Sequence, residues 1–82
     1  MMTIKVLLFA QARQIVGSES KEITLASGAS IADLKQSLAD AVPQLAELLT
    51  RSNIALAQKY ATDEDIVIDG VEVALIPPVS GG

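Results

Sequence analysis

Cysteine, histidine and tryptophan are absent from this 82-residue chain. Without cysteine there is neither a disulfide nor a thiolate nucleophile. Without histidine the usual general base and the commonest metal ligand are missing. No nucleophile–base pair or metal-ligand set remains, so the chain is not expected to be an autonomous enzyme or to hold a metal. Basic residues are scarce as well: six Lys and Arg stand against ten Asp and Glu, a net charge of −4. Such a balance argues against nucleic acid as a partner. No stretch approaches the ~18 apolar residues of a membrane span, so a membrane is not an expected partner either. The stretch from Met1 to Phe9 has one Lys and a short apolar run but no small-residue cleavage site, unlike a signal peptide. These missing signals lead to the expectation of a cytoplasmic protein.

Half of the residues are hydrophobic, yet Phe9 and Tyr60 are the only aromatics. A chain of this length makes one domain and buries only about 60% of its unfolded surface. Its core must therefore be assembled from Leu, Ile, Val and Ala. Residues 1–78 are expected to form that domain, with residues 79–82 as a mobile tail.

Hydrophobic spacing supplies the elements. Thr3 to Phe9 is rich in β-branched and large apolar residues and reads as a strand. Ala10 to Val16 suits a short helix, with Ala12, Ile15 and Val16 on one side and Gly17 placed to end it. Lys21 to Leu25 reads as a second strand with Ile23 and Leu25 inward. Ser30 is a candidate N-cap, and Asp33 stands where a capping box needs an acceptor. Ile31, Leu34, Leu38 and Ala41 follow at helical spacing, which predicts a helix from Ser30 to Val42. Pro43 ends it, and Gln44 to Leu49 suits a further short turn. Ile54 to Tyr60 is a third strand candidate, followed by an acidic loop at Thr62–Asp65 and an extended piece at Ile66–Ile68. Asp69-Gly70 signals a tight turn. Val71 to Ile76 is the last strand, halted by Pro77-Pro78, which cannot donate to a ladder.

This order, β, short α, β, long α, β, β, describes an α+β fold. One long helix packs on one face of a small mixed sheet, with the first and last strands side by side. That is the β-grasp, or ubiquitin-like, arrangement. Strand alternation then divides the residues between two faces. Ile4, Val6, Leu8, Val73 and Leu75 face the helix. Lys5, Leu7 and Phe9 fall on the other face beside Glu72, Ala74 and Ile76, and Tyr60 can join them. An uncovered apolar patch usually marks a partner surface. The alternative is that Ala10–Val16 covers these residues.

A chain lacking His and Cys can still take part in acyl chemistry through its own terminus. The Gly82 carboxylate, once adenylated, becomes an acyl donor, and sulfide or a persulfide converts it to a thiocarboxylate. Gly81 and Gly82 carry no Cβ and can pass through a narrow channel. Pro77-Pro78 stiffens the exit from the sheet and lowers the cost of ordering the tail. By itself a terminal Gly-Gly is also what any floppy chain end can show.

Leu7-Leu-Phe-Ala-Gln-Ala-Arg-Gln-Ile-Val-Gly17 and Asp69-Gly-Val-Glu-Val-Ala-Leu-Ile-Pro-Pro-Val-Ser-Gly-Gly82 resemble the opening and the ending of the small subunits of molybdopterin synthase, the MoaD family. The resemblance runs the length of the chain and is most specific in its last stretch. It implies a sulfur carrier with no bound cofactor and no active site of its own. A ubiquitin-activating-like adenylyltransferase would use ATP to activate Gly82, and a persulfide would supply the sulfur. Ser80, Gly81 and Gly82 would enter the large subunit and give sulfur to cyclic pyranopterin monophosphate, within a heterotetramer. Phe9, Tyr60, Ile76, Pro77, Pro78 and Val79 are the implied partner contacts. Arg13 matches an arginine of the family's first motif, and its role stays open between partner contact and solvated helix residue.

Two stretches depart from the family pattern. Leu56-Ala57 stands where Val-Asn is frequent, and Val71 stands where Asp is frequent between Gly70 and Glu72. Other readings therefore remain: a carrier serving thiazole, cysteine or tRNA thiolation, a protein modifier joined to lysines through Gly82, or a plain interaction domain.

Overall fold

The computed structural model describes residues 1–78, so Val79, Ser80, Gly81 and Gly82 lie outside the described residues. The elements are β1 (Met2–Leu8), α1 (Ala10–Val16), β2 (Ser20–Leu25), α2 (Ile31–Ala41), a 3₁₀ turn (Pro43–Leu45), α3 (Ala46–Arg51), β3 (Asn53–Leu56), β4 (Lys59–Ala61) and β5 (Val73–Ile76). The five strands form one mixed sheet in the order β2-β1-β5-β3-β4. β1 and β5 are parallel neighbours, with Val6, Leu7 and Leu8 opposite Val73, Ala74 and Leu75. The remaining pairs are antiparallel. This is the β-grasp arrangement expected from the order of elements.

Alternation along the strands builds the core. Ile4, Val6, Leu8, Ile23, Leu25, Ile54, Val73 and Leu75 are buried on one face, where they meet Ile31, Leu34 and Leu38 of α2 and Leu45, Leu48 and Leu49 beyond it. Each fully buried aliphatic side chain contributes about 1.5–3 kcal/mol of transfer free energy. Ala12 and the half-buried Val16 dock α1 onto the same core.

The start of α2 shows how completely the backbone is satisfied. The first four N–H groups of a helix have no partner within it. Here Ile31 N–H donates to the Asp65 carbonyl at 2.8 Å, and Ala32 N–H to the Asp63 carbonyl at 3.1 Å. Asp33 N–H donates to Ser30 Oγ at 3.2 Å, and the regular helical bonds begin with Leu34 N–H to the Ser30 carbonyl at 3.0 Å. The Asp33 carboxylate in turn accepts from Ser30 N–H at 3.0 Å, completing the capping box. The acidic loop is thus a cap for α2. Asp63 also accepts from Lys35 Nζ at 2.8 Å, and Asp65 Oδ2 from Thr62 N–H at 2.8 Å.

The third strand differs from expectation. Instead of one strand from Ile54 to Tyr60 there is a tight hairpin, β3 and β4, around Ala57-Gln58. Both turn residues have positive φ, 51° and 68°, the conformation of a type I′ turn. That turn normally takes Asn-Gly or Asp-Gly, so its residues here gave no turn signal. The last strand is also shorter: Val71 and Glu72 precede the ladder, which begins at Val73. The Asp69-Gly70 turn forms as expected. Gly70 takes φ 86°, and Val71 N–H donates to the Ile68 carbonyl at 3.2 Å.

Candidate docking face

The sheet face away from the helices is organised in rows by strand register. Glu22 is opposite Lys5 across β2 and β1, and carrying the β1–β5 register one residue back from Val6–Val73 sets Glu72 beside Lys5 as the end of one row. Ser20, Leu7, Ala74, Ala55 and Tyr60 form the next. Ile76 opposite Asn53 forms a third, toward the C-terminal end of β5. Charge therefore lies at one end of the face, and apolar surface at the end from which the chain leaves.

Leu7, Phe9, Ala55, Gln58, Tyr60, Glu72, Ala74 and Ile76 together line a groove on this face. Ala55 and Ala74 are almost fully buried and make its floor. The rim is formed by larger side chains: Phe9 is 46% exposed and Tyr60 69%, while Leu7 and Ile76 are half-buried. Two small residues flanked by larger ones on adjacent strands are what create the depression. α1 does not cover it. Ala12 is fully buried in the core on the helix side, and the helix follows it there.

Backbone strain borders the groove. The non-glycine residues with positive φ among the described residues are Ala10, Ala57 and Gln58. Ala10 follows Phe9, and the other two form the turn from which Gln58 reaches the groove wall. Residues held in such sparsely populated conformations cost about 1–3 kcal/mol each and cluster at functional sites.

Phe9, Tyr60 and Ile76 are thus brought together, though by different means. Phe9 lies just past β1 as the N-cap of α1, without a side-chain capping bond. Tyr60 comes from the second arm of the hairpin. Pro77 is buried and Pro78 exposed, so of the two only Pro78 presents itself to solvent. Val79, Ser80, Gly81 and Gly82 lie outside the described residues. Ala55 and Gln58 belong to the groove as well. Nothing in the sequence marks them, because an alanine in a strand carries no chemical signal and Ala57-Gln58 is not a hairpin-turn signature. The frequent family Asn at position 57, a residue that tolerates positive φ, was the available clue. Arg13 pairs with Glu19, and both are exposed.

Comparison with known proteins agrees with this architecture. A family model described as the ThiS family matches residues 6–82. The chain belongs to the ThiS family. Among curated relatives, this ThiS-family chain is 40% identical to the molybdopterin synthase sulfur carrier subunit of Chlamydomonas reinhardtii, covering 99% of this chain and 100% of that protein. The resemblance seen in the opening and closing motifs is therefore carried by whole-length relatives. Among solved structures, small archaeal modifier protein 1 (SAMP1) of Haloferax volcanii superposes with a TM-score of 0.85 at 26% identity, over 98% of this chain and 99% of that one. A putative molybdopterin converting factor, subunit 1, of Pyrococcus furiosus gives 0.84 at 29% identity, over 96% and 100%. Among the described residues no helix is long and apolar enough to cross a membrane.

Proposed function

We propose that this chain is the sulfur carrier subunit of molybdopterin synthase and works in the cytoplasm. Gly82 carries the reacting carboxyl. A ubiquitin-activating-like adenylyltransferase joins it to AMP from ATP with release of pyrophosphate. The outer sulfur of a persulfide then displaces AMP to form an acyl disulfide, and a second thiol cleaves its S–S bond, leaving the thiocarboxylate and a disulfide on the sulfur donor. Within the large subunit that sulfur bonds to a carbon of cyclic pyranopterin monophosphate as the oxygen substituent leaves, and water hydrolyses the acyl–sulfur bond, so the sulfur stays on the pterin and the carrier returns as the carboxylate. Two such transfers supply the two sulfurs of the dithiolene.

The observation that carries this reading is the placement of the apolar groove. It ends at Ile76, directly before the segment that delivers Gly82. Four residues beyond Pro78 span at most about 14 Å, so a receiving pocket must lie close to whatever grips this face. Phe9, Tyr60, Ile76, Pro78 and Val79 serve as the gripping contacts and Ser80 to Gly82 as the inserted tail, with Pro77 packed beneath to aim it.

Intact-mass measurement after incubation with ATP, a sulfur donor and the activating enzyme tests the chemistry. Replacement of one oxygen by sulfur at the terminus is expected, and an unchanged mass with a competent enzyme would sink the proposal. A second reading, a protein modifier, is favoured by the likeness to the archaeal modifier protein. High-mass conjugates in lysates that vanish when Gly82 is deleted would favour it.

A further inference from the structure

Glu72 is the one formally charged residue lining the groove. Its side chain is exposed, and its backbone carbonyl accepts the Ala57 N–H at 2.9 Å. Among the described residues the ion pairs are Arg13–Glu19, Lys35–Asp63 and Arg51–Glu47, so Glu72 has no salt-bridge partner among them. Lys5 stands next to it in register, but Glu22 flanks Lys5 on the other side. One cation set between two carboxylates leaves the row with one uncompensated negative charge.

A surface that seats itself on Leu7, Phe9, Tyr60, Ala74 and Ile76 must strip water from Glu72 as well, because it forms part of the same groove. Burying a carboxylate without a counter-charge is strongly unfavourable. The favourable solution is a basic group delivered by the docking surface. We infer that the partner surface is apolar with a single arginine or lysine set against Glu72, and that Glu72 selects for it. The inference rests on the reading of this face as the contact for the large subunit.

The position of Glu72 gives the pair a second use. It lies at the end of the face remote from the tail exit, while the apolar contacts lie toward it. Apolar contacts alone are tolerant of rotation. A charge pair at the far end fixes the angle at which the carrier sits, and so the direction in which the tail leaves. Charge complementarity of this kind contributes register and partner choice more than raw affinity.

The test is binding of the full chain to the purified large subunit of the same organism, at low and high salt. The variants are Glu72→Gln, Glu72→Lys, Glu64→Lys and Phe9→Asp. All three positions are exposed, and the bond from Ala57 N–H goes to the Glu72 backbone, so the fold is retained. Asp is also a favourable N-cap at position 9. Leaving the partner's cation buried and unpaired, Glu72→Gln should weaken binding by about 30-fold, and Glu72→Lys by at least about 100-fold. Glu64→Lys makes the same change in net charge on the loop that caps α2 and should shift binding by no more than about 3-fold. If both Glu72 variants bind like the wild type while Phe9→Asp does not bind, the inference alone is overturned. If Phe9→Asp also binds normally, the docking reading fails and the inference with it. A loss from Glu64→Lys as large as that from Glu72→Lys would assign the effect to overall charge and overturn the inference too.

Discussion

The N–H of Ala57 and the carbonyl of Glu72 are 2.9 Å apart, and this one bond ties the tip of the β3–β4 hairpin to the residue that leads into β5. It joins a strained turn to the charged end of the groove. Moving either partner would shift the wall that Gln58 and Tyr60 provide.

The turn is a place where stability can be raised. Ala57 and Gln58 hold φ at 51° and 68°, and left-handed backbone costs most residues about 1–2 kcal/mol. Ala57→Asn with Gln58→Gly supplies the residues a type I′ turn prefers. After the entropy lost to glycine is counted, a gain of about 1 kcal/mol is expected. A higher urea midpoint at unchanged slope would show it, and a lower midpoint would contradict the turn assignment.

The cap of α2 predicts the opposite sign. Ser30→Ala removes the Oγ acceptor from Asp33 N–H and should cost about 1 kcal/mol. For a domain of this size that lowers the melting temperature by about 4–8 °C. Combined with Asp33→Ala, the two losses should add to less than their sum, because each side chain holds the other's backbone. Full additivity in thermal melts would mean that the box is not acting as one unit.

Docking and folding should separate cleanly between Tyr60 and Leu34. Tyr60→Ala alters a side chain that is 69% exposed and should change stability by no more than about 0.5 kcal/mol. Its effect belongs in affinity for the large subunit, where a truncated aromatic anchor costs about 2 kcal/mol or more. Leu34→Ala opens a cavity under α2 and should cost about 2–5 kcal/mol of stability. Calorimetry of folding and of binding, run on both variants, would reveal any mixing of the two roles.

Filling the groove gives an independent check. Ala74 forms part of its floor, on the face opposite the core. Ala74 is almost fully buried between the rim side chains, so Ala74→Leu must push them apart and should cost about 1–3 kcal/mol of stability while the fold is kept. Binding to the large subunit should be lost because the depression is gone. A variant that binds normally would place the contact elsewhere.

Several of these features are legible in the amino-acid order. Period-two spacing in Ile4-Lys5-Val6-Leu7-Leu8 and Val73-Ala74-Leu75-Ile76 assigns each residue to a sheet face, because side-chain direction in a strand is a local property. The same rule places Leu7, Glu72, Ala74 and Ile76 on the uncovered face. Ser30 and Asp33 announce the start of α2, since a capping box spans only four residues. The terminal Gly81-Gly82 and the closing motif around Pro77-Pro78 point to the family.

Other features depend on contacts that no local pattern encodes. The carbonyls of Asp63 and Asp65 cap a helix that begins some thirty positions earlier, and only the folded chain brings them there. The Ala57-Gln58 turn violates its own residue preference and is held by the pairing of β3 with β4 and β5, where tertiary hydrogen bonds outweigh local strain. Ala55 acquires a role only as the floor between Leu7, Tyr60 and Ile76. The sequence by itself determined which residues are apolar, which alternate and which end the chain. The tertiary structure decided which of them meet, because a groove is made by residues from different strands and its depth by the small ones among them.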